Sequence, residues 1–166
     1  MKLLITNLLE YSRIGKDGEL TLIDCNEIVN SVLSDMDNSI KNNNAKITVQ
    51  NLPVLNGYKI ELRQLFQNLI SNSIKFRKND VNPEISISAD KYDNMWRFAV
   101  KDNGIVIDKK DKDKIFLIFK RLHNRDDYKG TGIGLSFCKK IVELHNGVIW
   151  VESKINEGNI FYFTIQ

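Results

Sequence analysis

Between residues 84 and 101 the chain alternates. Ile85, Ile87 and Ala89 are separated by serines; after Asp93-Asn94, Trp96, Phe98 and Val100 are separated by Arg97 and Ala99. Successive side chains of a strand point to opposite faces, so this pattern predicts a hairpin with an apolar face that another layer must cover. Helical periodicity supplies that layer. Ile28, Val29, Val32, Leu33, Met36 and Ile40 form one stripe after Asp24, with Glu27 in capping-box position. A second helix is expected over about Lys59 to Phe76, a short one over Ile115 to Leu122, and another over Leu135 to His145, stopped by Asn146-Gly147. Thr21 to Ile23, Ile47 to Gln50, Val148 to Glu152 and Ile160 to Ile165 read as further strands, and Pro53 to Gly57 as a loop. The expected fold class is α/β, in the form of an α+β two-layer sandwich: one mixed sheet with helices packed on a single face.

The 166 residues suit one domain. Residues 2–14 are helical in spacing, through Leu4, Leu8, Leu9 and Ile14, and lack a preceding cap. Thr6, Asn7 and Glu10 break the apolar stretch and argue against a signal peptide, and no run reaches membrane-spanning length. A soluble, cytoplasmic domain is expected. Cys25 and Cys138 stand far apart and match no ligand spacing, so they are expected as reduced, buried thiols. The net charge of +3 is small, and Lys109, Lys110, Lys112 and Lys114 alternate with Asp108, Asp111 and Asp113. That pattern predicts a solvated face and no nucleic-acid partner.

Three segments carry chemistry. On the 59–76 helix, Asn68, Asn72 and Lys75 fall within about 60° of one another beside the apolar arc. Amide oxygens one turn apart suit a hard cation such as Mg²⁺, and a lysine a turn further on suits phosphate. Asp102-Asn103-Gly104 follows a strand, where a carboxylate is placed to accept a hydrogen bond from a base amino group. Gly130-Thr131-Gly132-Ile133-Gly134-Leu135 opens the last helix, whose unpaired N–H groups suit an anion. It matches neither a P-loop nor a dinucleotide fingerprint.

In this order, with Ile115-Phe116 and Phe119 between the second and third, the segments resemble the N, G1, F and G2 boxes of sensor histidine kinases. That ATP-binding fold, the Bergerat type, is shared with gyrase, Hsp90 and MutL. Glu157 to Phe163 is similar to the family's closing strand, and Ile149 to Ser153 resembles kinases of the phytochrome-like and PAS-linked kind. Residues 1–14 resemble the end of the second helix of a dimerisation domain, leaving 15–166 as the catalytic domain.

The resemblance implies a set of roles. Asn72, with Asn68, would hold Mg²⁺ against the ATP phosphates; Lys75 would touch those phosphates, and Arg121 would reach the γ-phosphate. Asp102 would bind the adenine amino group beside Gly104, with Phe76, Ile105 and Ile107 flanking the base. Gly130, Thr131, Gly132, Ile133, Gly134 and Leu135 would form the phosphate-binding hinge of a lid spanning Leu117 to Thr131. His123 and Arg125 would be lid surface.

The implied reaction is transfer of the ATP γ-phosphoryl group to a histidine on a dimerisation domain absent from these 166 residues, for relay to a response-regulator receiver domain. The parent would be a homodimer, and this segment alone would not autophosphorylate. Two alternatives stay open: a degenerate interaction module, and a hydrolytic ATPase of the same superfamily. Hydrolysis is disfavoured because Asn68 stands where those enzymes carry a glutamate base. Two departures from the pattern are Val106, at the second glycine of Asp-x-Gly-x-Gly, and Asn156, at a later glycine. Backbone strain at Val106 would weaken nucleotide binding by about 1–3 kcal/mol.

Overall fold

The computed structural model describes residues 2–121 and 130–166. Its order is α1 (Lys2–Arg13), β1 (Leu20–Asp24), α2 (Cys25–Asp35), α3 (Asp37–Asn42), β2 (Lys46–Val49), β3 (Val54–Tyr58), α4 (Lys59–Lys75), β4 (Glu84–Tyr92), β5 (Met95–Asp102), α5 (Gly134–Leu144), β6 (Ile149–Lys154) and β7 (Gly158–Ile165). The hairpin is β4–β5, paired Ile87 to Val100 and Ala89 to Phe98, with Asp93 at φ +52 in its turn.

The main sheet has five strands in the order β2-β4-β5-β7-β6; β2 runs parallel to β4 and the other pairs are antiparallel. Ile85, Ile87, Phe98, Val100, Phe161 and Phe163 all face the helices and are buried. Phe66 of α4 meets Phe98 and Phe163 edge-on at 5.8 and 5.7 Å, and those two rings stack at 4.9 Å. Offset and edge-to-face contacts of this kind add about 0.5–1.5 kcal/mol per pair beyond area burial. This is the two-layer architecture expected.

Three local expectations are corrected. The segment read as a loop, 53–57, contributes β3, which pairs with β1 in a separate two-stranded antiparallel sheet. Its pattern is weak in sequence because its register is set from outside. The Asn26 amide donates to the Leu52 carbonyl and accepts the Leu52 N–H, and Cys25 N–H donates to Pro53 O. The long stripe after Asp24 is broken at Met36 into α2 and α3; Asp24 caps α2 by accepting Asn26 N–H at 2.8 Å. Over the described part of the helix expected at 115–122 there is instead a short 3₁₀ turn at Lys114–Phe116, after another at Lys109–Asp111. The expected lid falls largely on residues 122–129, including His123 and Arg125, which lie outside the described residues.

Among the described residues no helix is long and apolar enough to cross a membrane. Burial pushes the thiols of Cys25 and Cys138 up to about 12, so both behave as core side chains.

Candidate functional site

The cleft follows from strand parity. Phe98, Val100 and Asp102 share the inward face of β5, and Asp102, the last residue of the strand, sits opposite Asn159 of β7. A carboxylate thereby enters the layer between sheet and helices, 4% exposed. Its neighbours are donors: Gly104 N–H and Asn159 Nδ2 reach Oδ1 at 2.9 and 3.1 Å, and Ser73 Oγ lies 3.0 Å from Oδ2. Burial raises the Asp102 carboxyl above the ordinary range, against the pull of these bonds.

Asp102 lines a cavity of about 380 Å³, within the range of small-ligand sites. One wall is the C-terminal half of α4, with Ser71, Asn72, Lys75 and Phe76. Opposite lie Gly130, Thr131, Gly132, Gly134 and Leu135 at the start of α5. Ile105, Ile107, Ile115 and Phe161 make the apolar end, and Lys120 and Arg121 close the basic end. Lys75 loses proton affinity through burial and through the nearby Arg121 charge. Its Nζ lies 4.9 Å from the Phe76 ring centroid, and a Cβ on Gly130 would fall 2.2 Å from it. Two cations crowding one end of a cleft and a buried acid at the other form a dipolar site, suited to a ligand with an anionic tail and an amino-bearing head.

The glycines differ in purpose. Gly132 is in the left-handed region (φ +72), folded against Lys120 O and Phe119. Phe119 itself holds φ +63, an outlier for an aromatic residue, and donates its N–H to Gly132 O. Gly104 has ordinary φ; it is needed because a Cβ would meet Phe76 O at 2.7 Å, where Ile105 N–H also bonds. Among the described residues no side chain caps α5, which leaves its first N–H groups to the cleft.

Most of the residues singled out in the sequence converge on this cavity. Gly104, Asn68 and Ile133 do not line it. The Asn68 amide donates to Gly134 O at 3.3 Å and braces α5 against α4, while Ile133 is buried behind the hinge. Asn72 does line it, and its amide has no hydrogen-bond partner among the described residues. Asn159, Ser73, Ser71, Lys120, Ile115 and Phe161 were not singled out in the sequence as site residues. For Asn159 and Phe161 the missed signal was parity, since both share the inward face of β7 with Phe163.

The strain expected at Val106 is corrected. Among the described residues positive φ occurs at Asn44, Asp80, Asp93, Phe119, Asn146 and Asn156 besides three glycines, and Val106 is not one of them. Val106→Gly should therefore leave nucleotide affinity within about twofold by calorimetry; a clear tightening would restore the strain argument. Asn156, at φ +67, occupies a conformation asparagine tolerates.

His145 is structural. It is buried, accepts Tyr58 N–H at Nε2 (3.0 Å), holds Nδ1 at 2.7 Å from Ile141 O, and burial lowers its proton affinity.

The chain is 46% identical, over 99% of its length, to phytochrome-like protein Cph1 of Synechocystis sp. (strain ATCC 27184 / PCC 6803 / Kazusa), of which it spans 22%. The catalytic domain of histidine kinase ThkA superposes with a TM-score of 0.76 at 28% identity, covering 89% of this chain and 95% of that one. ThkA in complex with the response regulator protein TrrA gives 0.78 at 26% identity, over 99% of this chain and 46% of that one. Residues 57–166, which carry the whole cavity, match the family described as histidine kinase-, DNA gyrase B-, and HSP90-like ATPase, and it is to this ATPase family that the chain belongs.

Proposed function

We propose that the cleft holds ATP with Mg²⁺ and that the domain is the catalytic part of a longer sensor histidine kinase, passing the γ-phosphoryl group to a histidine on a dimerisation domain. The observation that carries this reading is the pairing of a buried acid, Asp102, with a cationic end made by Lys75 and Arg121 across a single cavity. Asp102 accepts from the adenine amino group, and Ile105, Ile107 and Phe76 flank the base. Lys75, Arg121 and the hinge N–H groups of 130–135 neutralise and orient the phosphates. The amide of Asn72, without a partner among the described residues, suits Mg²⁺, whose chemistry is to draw charge off the phosphates; Asn68, held to Gly134 O through its Nδ2, would join it through its amide oxygen.

Asp102 is the one acid among the described lining residues, and it is engaged by three donors. Among the described residues the cleft therefore offers no free carboxylate to activate water, which supports transfer to an outside acceptor over hydrolysis. The acceptor and the receiver partner are inferred from relatives such as ThkA, whose structure with TrrA is a kinase–regulator complex.

Residues 1–14 fit the end of a dimerisation helix. Helix α1 buries no residue and exposes Leu3, Ile5 and Leu9, yet Tyr11 is fastened to α5: Lys140 Nζ donates to Tyr11 O at 2.6 Å, and the Tyr11 ring meets Phe137 at 5.5 Å.

ATP with Mg²⁺ at about 100 times its Kd should add about 2.7 kcal/mol of stability, a rise of about 5–10 °C in Tm. ATP with a chelator should give less. No shift at millimolar nucleotide would favour the interaction module and end this reading.

A further inference from the structure

We propose that Asn159 is the positioning residue of base recognition: its carboxamide decides which Asp102 oxygen meets the base, and it pins the 105–107 turn that carries the two flanking isoleucines. This rests on the nucleotide reading above and deepens it.

A carboxamide has two donor hydrogens and one oxygen that accepts two bonds. At Asn159 all four are used. Nδ2 donates to Asp102 Oδ1 (3.1 Å) and to Ile105 O (2.9 Å); Oδ1 accepts from Ile107 N–H (3.3 Å) and Ser153 Oγ (2.6 Å). The residue is 4% exposed and lines the same cavity as Asp102. No other single side chain reproduces this set. A carboxylate lacks the donors and would face Asp102 as a like charge. Serine is too short to reach both the turn and the acid.

Two consequences follow. With Gly104 N–H and Asn159 Nδ2 both on Oδ1, that oxygen is occupied, and Oδ2, on which Ser73 Oγ sits, is left to face the ligand. A fixed acceptor discriminates a 6-amino purine from a 6-oxo purine, whereas a carboxylate free to rotate does so less well. The grip on Ile105 O and Ile107 N–H also brackets Val106, so the turn is held by hydrogen bonds where the family pattern relies on a second glycine.

The test is the ratio of dissociation constants for ATP and ITP, each with Mg²⁺, by calorimetry on the full 166-residue chain. Wild type should prefer ATP. Asn159→Ser should weaken ATP about tenfold and leave ITP within about twofold, so the preference falls about tenfold. A merely structural role would weaken both nucleotides alike and leave the ratio unchanged, which would overturn the proposal. Ser153→Ala removes one bond to Asn159 Oδ1 without touching the cavity, and covers the case in which Asn159→Ser fails to fold. It should lower the ratio two- to threefold, and an unchanged ratio counts against the proposal. Failure of wild type to bind ATP would remove the nucleotide reading and this inference together; binding with an insensitive ratio would remove this inference alone.

Discussion

Asp102→Asn should abolish useful ATP binding while leaving the fold at least as stable. The substitution is nearly invisible to the apo protein. The new side-chain oxygen can keep accepting from Gly104 N–H and Asn159 Nδ2. The new amide nitrogen, at the former Oδ2, can donate to Ser73 Oγ, whose own hydrogen then turns to Leu69 O, already 3.0 Å away. Every buried polar group stays satisfied, and a desolvated charge is gone.

What changes is the face toward the cleft, where an acceptor becomes a donor opposed to the adenine amino group. Loss of one hydrogen bond to a charged group is worth about 1.5–3 kcal/mol, or about 10- to 150-fold in Kd, and the donor–donor clash adds to it. Calorimetry and thermal unfolding on the same sample check this. Unchanged affinity would mean that Asp102 does not read the base. The pH dependence should move with it. Burial raises the Asp102 carboxyl above its unfolded value, so the native state binds the proton more tightly. Stability from this group therefore rises as pH falls through that raised pKa toward the unfolded one, while ATP affinity drops over the same acidic window. The asparagine variant should lack both trends.

Gly158→Ala should have a large structural effect. Gly158 begins β7 at φ +91, and a Cβ there would lie 2.0 Å from Asp102 O and 2.8 Å from Asn103 Cα. Neither obstacle is a flexible side-chain tip, so β7 must lift from the end of β5. A left-handed non-glycine residue costs about 1–2 kcal/mol, and forcing the backbone apart adds about 1–3 kcal/mol. The expected loss of about 2–5 kcal/mol is about 5–20 °C in Tm for a domain of this size. Nucleotide affinity should fall as well, because the Asp102–Asn159 pair is the next rung of the same ladder. Gly134→Ala is the control: its Cβ would meet nothing nearer than Asn68 at 4.0 Å and should fold normally. If the two alanine variants unfold at the same temperature, the close approach at Gly158 has been misjudged.

Period-2 alternation in 85–100 and the apolar stripes of α2, α4 and α5 were enough to specify a sheet under helices, because burial acts on each segment's own pattern. β3 was illegible: Val54 to Tyr58 pairs because Asn26 and Cys25, almost thirty residues earlier, fix where it starts. Over its described residues, 115–121, the expected helix does not form, because a stretch with buried Ile115 and Phe116 turns instead toward the Gly132 hinge.

Local pattern was enough for the layers and for the segments that carry Asn72, Lys75, Asp102 and the 130–135 glycines, since periodicity and short-range glycine chemistry are local properties; the places of Phe76, Ile105, Ile107 and Arg121 came from the family resemblance. Tertiary structure alone decided that Asn68 braces α5, that Val106 is unstrained, and that Asn159 and Ser73 hold Asp102. Those facts depend on which atoms of distant strands and helices come within 3 Å, a distance set by sheet register and helix packing that no local pattern encodes.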